Sequence, residues 1–332
     1  MASPYVLRRN SPRFLARGLR GYAWSCAKNA VKLAIGRKAY FTPLDVFFRL
    51  YLRQLFGGPS VLVTCHLEGF EREGAGSQAF MMMSALNFAR VFGCTYVHTP
   101  FVDIDHADRP RPEWLAVWEA HFNFGVGERL AAGCRGEVVN FGPSSFISLL
   151  EPFLTPSTAN DPEVGPVPIL DATVRQELQR KYQSNKQPRG DRKFAVCVHI
   201  RRFNRHDNHN DYFMPGARMA RTLGAIEALL EAHGLEHTVR VFSQGDVSEF
   251  PEFVRPGVEL VLDADPVRSM QEMIGADILV TSKGTFSYVA AVLCDGIVVC
   301  EPSMPPQDGW IDCADDGAFD TAALARRLPP AP

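Results

Sequence analysis

Two adjacent guanidinium groups end an apolar run: Lys193-Phe194-Ala195-Val196-Cys197-Val198-His199-Ile200 leads straight into Arg201-Arg202. Such a run reads as a buried strand, and open α/β sheets take their ligands beyond the carboxyl ends of their strands. An arginine fork placed there matches the oxygens of a diphosphate bidentately, as a lysine does not. On these residues alone the pair reads equally as an anion clamp or as two surface arginines paired with carboxylates. Gly284-Thr285-Phe286-Ser287 is a second candidate, because it would open a helix whose free N–H groups and dipole favour an anion. An ordinary Ser or Thr helix cap uses the same residues. Asn204 to Asp211 offers Asp207 and His209 as proton acceptors, although a solvated polar loop has the same composition. Asp103-Ile104-Asp105 and Asp263-Ala264-Asp265 have the Asp-x-Asp spacing that can hold a divalent ion. That triplet arises easily by chance, and His206-x-x-His209 lacks a further ligand at a recognised spacing, so no metal is expected.

The elements that would position these groups form an alternating series. Ser60 to Cys65 reads as a strand, Gly69 to Gly76 as a loop, Ser77 to Arg90 as a helix and Thr95 to His98 as a second strand. The Met81-Met82-Met83 triplet in that helix is core filling. A proline-rich stretch from Pro152 to Pro168 breaks the pattern as a linker or a long surface loop. Beyond it the periodicity predicts helix 171–183, the strand ending at His199, helix 217–232, strand 238–243, a short helix near 247–253 and strand 258–262. Helix 266–275, strand 277–281, helix 285–294 and strand 297–300 complete the series. Alternation of this kind implies an α/β fold with parallel sheets covered by helices. Four strand ends are polar: Arg201-Arg202, Ser243-Gln244-Gly245-Asp246, Asp263-Ala264-Asp265 and Ser282-Lys283-Gly284-Thr285. On one edge of a sheet they could surround a phosphorylated ligand.

Length and charge bound the partners. The 332 residues predict roughly two domains. Residues 1–58 carry eleven Lys or Arg against the single acid Asp45, a net +10, so the remainder is −12 within a total of −2. Apolar and aromatic residues, Trp24 among them, interleave with these cations. That composition suits contact with an anionic membrane surface, and a solvated basic tail or an organellar transit peptide shares it. No run has the length of a transmembrane helix, and no secretory signal pattern is present, so a cytoplasmic protein docked at the inner face of a membrane is expected. Eight cysteines without a CxxC pair read as reduced thiols. Nucleic-acid binding is not expected, because the chain beyond the arm is acidic and holds no recognised motif.

Three segments resemble the GDP-fucose-dependent fucosyltransferases, the group that includes α1,2-, α1,6- and protein O-fucosyltransferases and bacterial members. They are His199-Ile200-Arg201-Arg202, the stretch from Met270 to Tyr288, and more weakly Gly74-Ala75-Gly76-Ser77-Gln78-Ala79. The resemblance spans roughly residues 60–310 in the family's order and is strong only in the C-terminal half. It implies a GT-B fold of two Rossmann-like domains facing a cleft, with a basic arm at 1–58, an acceptor-side domain at 59–165 and a nucleotide-sugar domain at 166–332. It also implies metal-independent, inverting transfer of fucose from GDP-fucose to a carbohydrate acceptor, with no cofactor; a lipid-linked carbohydrate is one option for that acceptor.

Carried over by position, Arg201 would hold the donor's β-phosphate, His199 would lie near the guanine and Arg202 would support the loop. Ser282, Thr285, Phe286 and Ser287 match the segment that contacts diphosphate and sugar, and Gly74, Gly76, Ser77 and Gln78 match the family's N-terminal turn. Ser243 and Gln244 join this donor set as a polar strand end. Several positions depart from the family: Ser77 stands where Asn is frequent, Phe203-Asn204 replaces Gly-Asp, and Ser269 replaces a guanine-contacting Asp that Asp265 or Asp263 could supply. Asp207 or His209 is the expected base. A GT-B transferase using another nucleotide sugar and a non-catalytic nucleotide- or carbohydrate-binding protein are the alternatives.

Overall fold

The computed structural model describes residues 62–65, 73–92, 94–105, 107–135, 138–140, 170–187, 193–202, 214–301 and 307–330. The basic arm and the stretch around residue 165 lie outside them. The chain divides into two compact units, the first ending at Lys181 and the second beginning at Tyr182.

The first unit is built on a parallel sheet of β1 (Leu62–Thr64), β2 (Thr95–His98), β3 (Arg129–Leu130) and β4 (Val138–Asn140), in the order β3-β2-β1-β4. Between β1 and β2 runs α1 (Ala75–Phe92). It begins two residues before the predicted start, so Ala75 and Gly76 belong to its first turn instead of the loop. Met82 and Met83 are buried and fill the core. Helix α2 (Arg111–Phe122) follows β2 and buries Trp114, Trp118, His121 and Phe122, the i, i+4, i+7, i+8 stripe of an inward helix face. Trp118 and Phe122 stack at 5.5 Å, and Phe124 continues the stack at 5.1 Å. Helix α3 (Ala172–Gln183) carries the chain into the second unit. Its first two turns are fastened to the first unit by Glu177, which pairs with Arg90 at 2.7 Å.

The second unit is a six-stranded, wholly parallel sheet. Its strands are β5 (Phe194–His199), β6 (His237–Ser243), β7 (Val258–Leu262), β8 (Ile278–Val280), β9 (Ile297–Cys300) and β10 (Ile311–Asp312). Their order is β10-β9-β8-β5-β6-β7. The parallel α/β expectation therefore holds in both units. Buried residues follow one another without alternation in β5, β8 and β9, as they must in strands covered on both faces. Edge strand β7 instead exposes Glu259 and leaves its other four residues only partly buried.

Between the strands lie α4 (Gly216–Ala232), α5 (Pro266–Ile274) and α6 (Thr285–Leu293), and the short α7 (Thr321–Ala325) closes the chain. Helix α4 buries Met219, Leu223, Ile226 and Leu230 at helical spacing against the sheet. Helix α5 starts where Asp265 accepts the Arg268 N–H and Pro266 occupies the first turn, a start signal readable in the sequence. The turn into β9 needs Gly296, because a Cβ there would lie 2.3 Å from the Ala276 carbonyl oxygen.

Candidate functional site

The strand order of the second unit places a ligand site by topology. From β5 the chain steps outward to β6 and β7, then returns past β5 to β8 and moves outward again to β9 and β10. The reversal lies between β5 and β8, so the connections leaving their carboxyl ends diverge, and open α/β sheets take ligands in the crevice at such a switch point. His199, Ile200, Arg201 and Arg202 leave β5 on one side of it, and Thr281 to Phe286 leave β8 on the other.

A short chain of hydrogen bonds ties the two sides together. The Arg201 N–H donates to Ser282 Oγ at 2.8 Å. The Ser282 N–H donates to Ser287 Oγ at 3.1 Å, and that hydroxyl donates back to the Ser282 carbonyl at 3.2 Å. Ser282 and Ser287 are both buried, so these hydroxyls brace the turn between β8 and α6. The next partly exposed positions are Lys283, Gly284, Thr285 and Phe286. Gly284, at φ 98, caps α6 without any side-chain hydrogen bond. Only glycine adopts that φ freely, and a helix amino end of this kind favours an anion.

His199 ends β5 with its ring centroid 5.7 Å from that of Phe286, at 45°. It is buried, and its Nδ1 has no hydrogen-bond partner among the described residues. Burial first, and then the nearby Arg201 charge, push its pKa down to about 3, so the imidazole is neutral. A neutral imidazole beside the amino end of a helix is able to make a polar contact with a ligand.

Arg201 and Arg202 diverge in role. The Arg201 backbone is fixed at both ends, since its carbonyl accepts the Met214 N–H at 3.1 Å. Its side chain is partly exposed at the crevice. Arg202 is buried: its guanidinium donates to the Met214 carbonyl and, at 3.2 Å, to the Glu249 carbonyl, and lies 4.3 Å from the Phe250 ring centre. Burial lowers its pKa from the usual arginine value.

The other predicted donor residues have structural duties. Ser243 Oγ donates to the Ile200 carbonyl at 2.7 Å and so joins the ends of β6 and β5, while Gln244 is exposed. Asp265 caps α5, and Asp263, at φ 47, accepts the Gly245 N–H at 3.3 Å. Among the described residues no group of three His, Cys, Asp or Glu could hold a metal ion. Asp207 and His209 lie outside the described residues.

A fifth polar strand end, Glu301, was passed over by the sequence reading although it follows the apolar run Ile297–Cys300 in the same way as the other four. Glu301 is buried; its N–H donates to Thr281 Oγ1 at 2.9 Å, and its carboxylate lies 3.7 Å from the buried Arg218 guanidinium.

In the first unit, Gln78 is wholly buried: its amide donates to the Glu73 carbonyl at 3.1 Å and the Val102 carbonyl at 2.7 Å. Those bonds clip the segment after β2 to the start of α1. Gly74 precedes that helix, and its carbonyl accepts the Gln78 N–H at 3.1 Å. No described helix is long and apolar enough to cross a membrane.

No protein-family model and no curated protein matches the chain. Among solved structures, POFUT1 in complex with GDP is 17% identical over 71% of this chain and 95% of its own, at a TM-score of 0.34. E. coli heptosyltransferase WaaC with ADP-2-deoxy-2-fluoro heptose is 11% identical over 81% of this chain and 98% of its own, at 0.36. S. aureus MnaA with UDP is 13% identical over 81% of this chain and 65% of its own, at 0.28. Scores of this size mark loose overlaps and assign neither a family nor an activity to this chain.

Proposed function

We propose that the chain is an inverting glycosyltransferase of the GT-B type, whose donor is the nucleotide sugar GDP-fucose and whose acceptor is a carbohydrate hydroxyl. The observation that carries this reading is the placement of Arg201 and the uncapped start of α6 on the two adjacent strand ends where the strand order reverses. A guanidinium on one side and a helix amino end on the other are the groups that favour a diphosphate. The preference for fucose and for guanine rests on the sequence resemblance around His199 to Arg202 and Met270 to Tyr288.

In the transfer step the acceptor oxygen bonds to the anomeric carbon as the bond from that carbon to the β-phosphate oxygen breaks. The electron pair leaves with the diphosphate, and the acceptor proton passes to a base, for which Asp207 and His209 are the candidates. Arg201 and the α6 amides stabilise charge that grows on the leaving diphosphate, so they favour the transition state over the ground state.

Melting the protein with GDP, UDP, ADP, CDP and their sugars tests the donor assignment. GDP and GDP-fucose should raise the melting temperature of the wild type. A shift with UDP or ADP and none with GDP would refute the guanine donor. A bound donor that is neither transferred to any carbohydrate nor hydrolysed would leave a nucleotide-binding protein without this chemistry.

A further inference from the structure

The amino-terminal edge of the six-stranded sheet, opposite the edge that carries Arg201, holds a cleft of about 410 Å³. Its walls come from the end of α3 and the residues after it, from the end of α5 before β8, and from Asp295 before β9. That volume lies within the range of small-molecule sites. The floor is apolar and buried, made by the Tyr182 ring and Ile274. The rim is polar, with the carboxamides of Gln183, Gln187 and Gln271, the ammonium of Lys186 and the carboxylate of Asp295.

The charges around this cleft decide what it can take. Three helices end on it: α3 at Gln183, α5 at Ile274 with Gly275 as its cap, and α6, whose cap Cys294 precedes Asp295. Helix carboxyl ends carry partial negative charge, and together with Asp295 they disfavour a phosphate or carboxylate. A cation meets the Lys186 ammonium, which already lies 4.7 Å from the Tyr182 ring centre. The formal charges of Lys186 and Asp295 cancel, which leaves a neutral lining rich in hydrogen-bonding groups. Each carboxamide offers both a donor and an acceptor, the pairing that neighbouring hydroxyls need.

We propose that this cleft binds a neutral sugar residue, at a site separate from the nucleotide crevice on the opposite sheet edge. Such a site would let the protein grip a carbohydrate chain away from the reacting hydroxyl. Binding there does not require transfer, so it can be tested whether or not the donor reading stands.

The experiment is saturation-transfer NMR on the full chain with glucose, lactose, maltose and N-acetylglucosamine at millimolar concentration, and with glucose 6-phosphate as the charged comparison. At least one neutral sugar should receive saturation, and an excess of GDP should leave that signal unchanged. The double variant Gln183→Ala, Gln271→Ala alters two exposed side chains and should melt as the wild type does. It should weaken the sugar about tenfold, the scale of one to two lost hydrogen bonds. The proposal fails if no neutral sugar receives saturation, if the double variant binds as tightly as the wild type, if glucose 6-phosphate binds better than glucose, or if GDP displaces the sugar. A protein that ignores every nucleotide yet passes these tests would lose the donor reading and keep this site.

Discussion

Replacing Arg202 by Met and Arg201 by Ala in separate variants should dissociate stability from nucleotide binding. Arg202 donates to two backbone carbonyls, those of Met214 and Glu249, and covers the Phe250 ring. Methionine keeps much of the stem packing on Phe250 and removes both donors, which leaves the two carbonyls without those bonds. Hydrogen bonds to a charged group contribute about 1.5–3 kcal/mol each, and the cost of burying the guanidinium offsets part of that. A net loss of about 3 kcal/mol follows, or about 6–12 °C in melting temperature for a chain of this size. Arg201 contrasts with it, because the hydrogen bonds to Ser282 Oγ and from the Met214 N–H are made by its backbone and survive in alanine. Arg201→Ala should stay within about 1 kcal/mol of wild-type stability. Its GDP affinity should fall about 30- to 1,000-fold, the equivalent of about 2–4 kcal/mol of charge-assisted bonding to the diphosphate. Urea unfolding and calorimetric titration with GDP read the two effects separately. The reasoning is refuted if Arg201→Ala binds GDP like the wild type, or if Arg202→Met unfolds at the wild-type urea concentration.

Two more predictions concern pH and the basic arm. His199 has its pKa lowered to about 3 by burial and by Arg201, against 6.5 for an ordinary histidine, so between these values the unfolded chain binds a proton that the folded chain does not. Stability must then fall as pH drops through that window, by up to about 1.4 kcal/mol per pH unit and about 2 kcal/mol between pH 7 and pH 5. His199→Gln should flatten this part of the urea-midpoint profile, and an identical slope in the variant would show that other groups set it. For the arm, whose eleven cations are opposed by one acid, deletion of residues 1–56 should release the protein from vesicles containing phosphatidylserine. Equal sedimentation with vesicles before and after deletion would refute membrane docking by the arm.

The sheet of the second unit was legible because each strand is a short apolar run bounded by polar or glycine residues, and each lies beside a helical pattern of the opposite period. The amino end of α5 was marked by Asp265-Pro266, and the structure uses both residues as a cap and a first turn. Helix α2 was missed because Pro110 and Pro112 obscure its start, and its buried Trp114, Trp118 and Phe122 share the segment with exposed charged residues. Strands β3 and β10 have two residues each, too few for any periodicity. Gln78 was read as part of a ligand loop on its motif. Its carbonyl partner at Val102 lies 24 positions away, and local pattern carries no signal for such a bond.

The same limit explains why the polar strand ends looked equivalent in sequence and are not equivalent in space. A strand that stops at a sheet edge leaves backbone donors and acceptors that need partners, and nearby hydroxyls and carboxylates meet that need before any ligand arrives. Ser243, Ser282, Ser287 and Asp265 are consumed in this way, and Arg202 meets two carbonyls of the loop beyond β5 and the turn after β6. The partly exposed Arg201 side chain, the neutral His199 ring and the amino end of α6 lie at the same two strand ends. In the proposed site these serines set the distance between the Arg201 backbone and the α6 amino end without help from a ligand. A clamp whose two jaws are already spaced needs little reorganisation when charge develops between them, which is the condition under which fixed dipoles contribute most to a transition state. Ser282→Ala should therefore lower the rate of transfer more than it lowers GDP affinity, although Ser282 itself touches no part of the proposed donor.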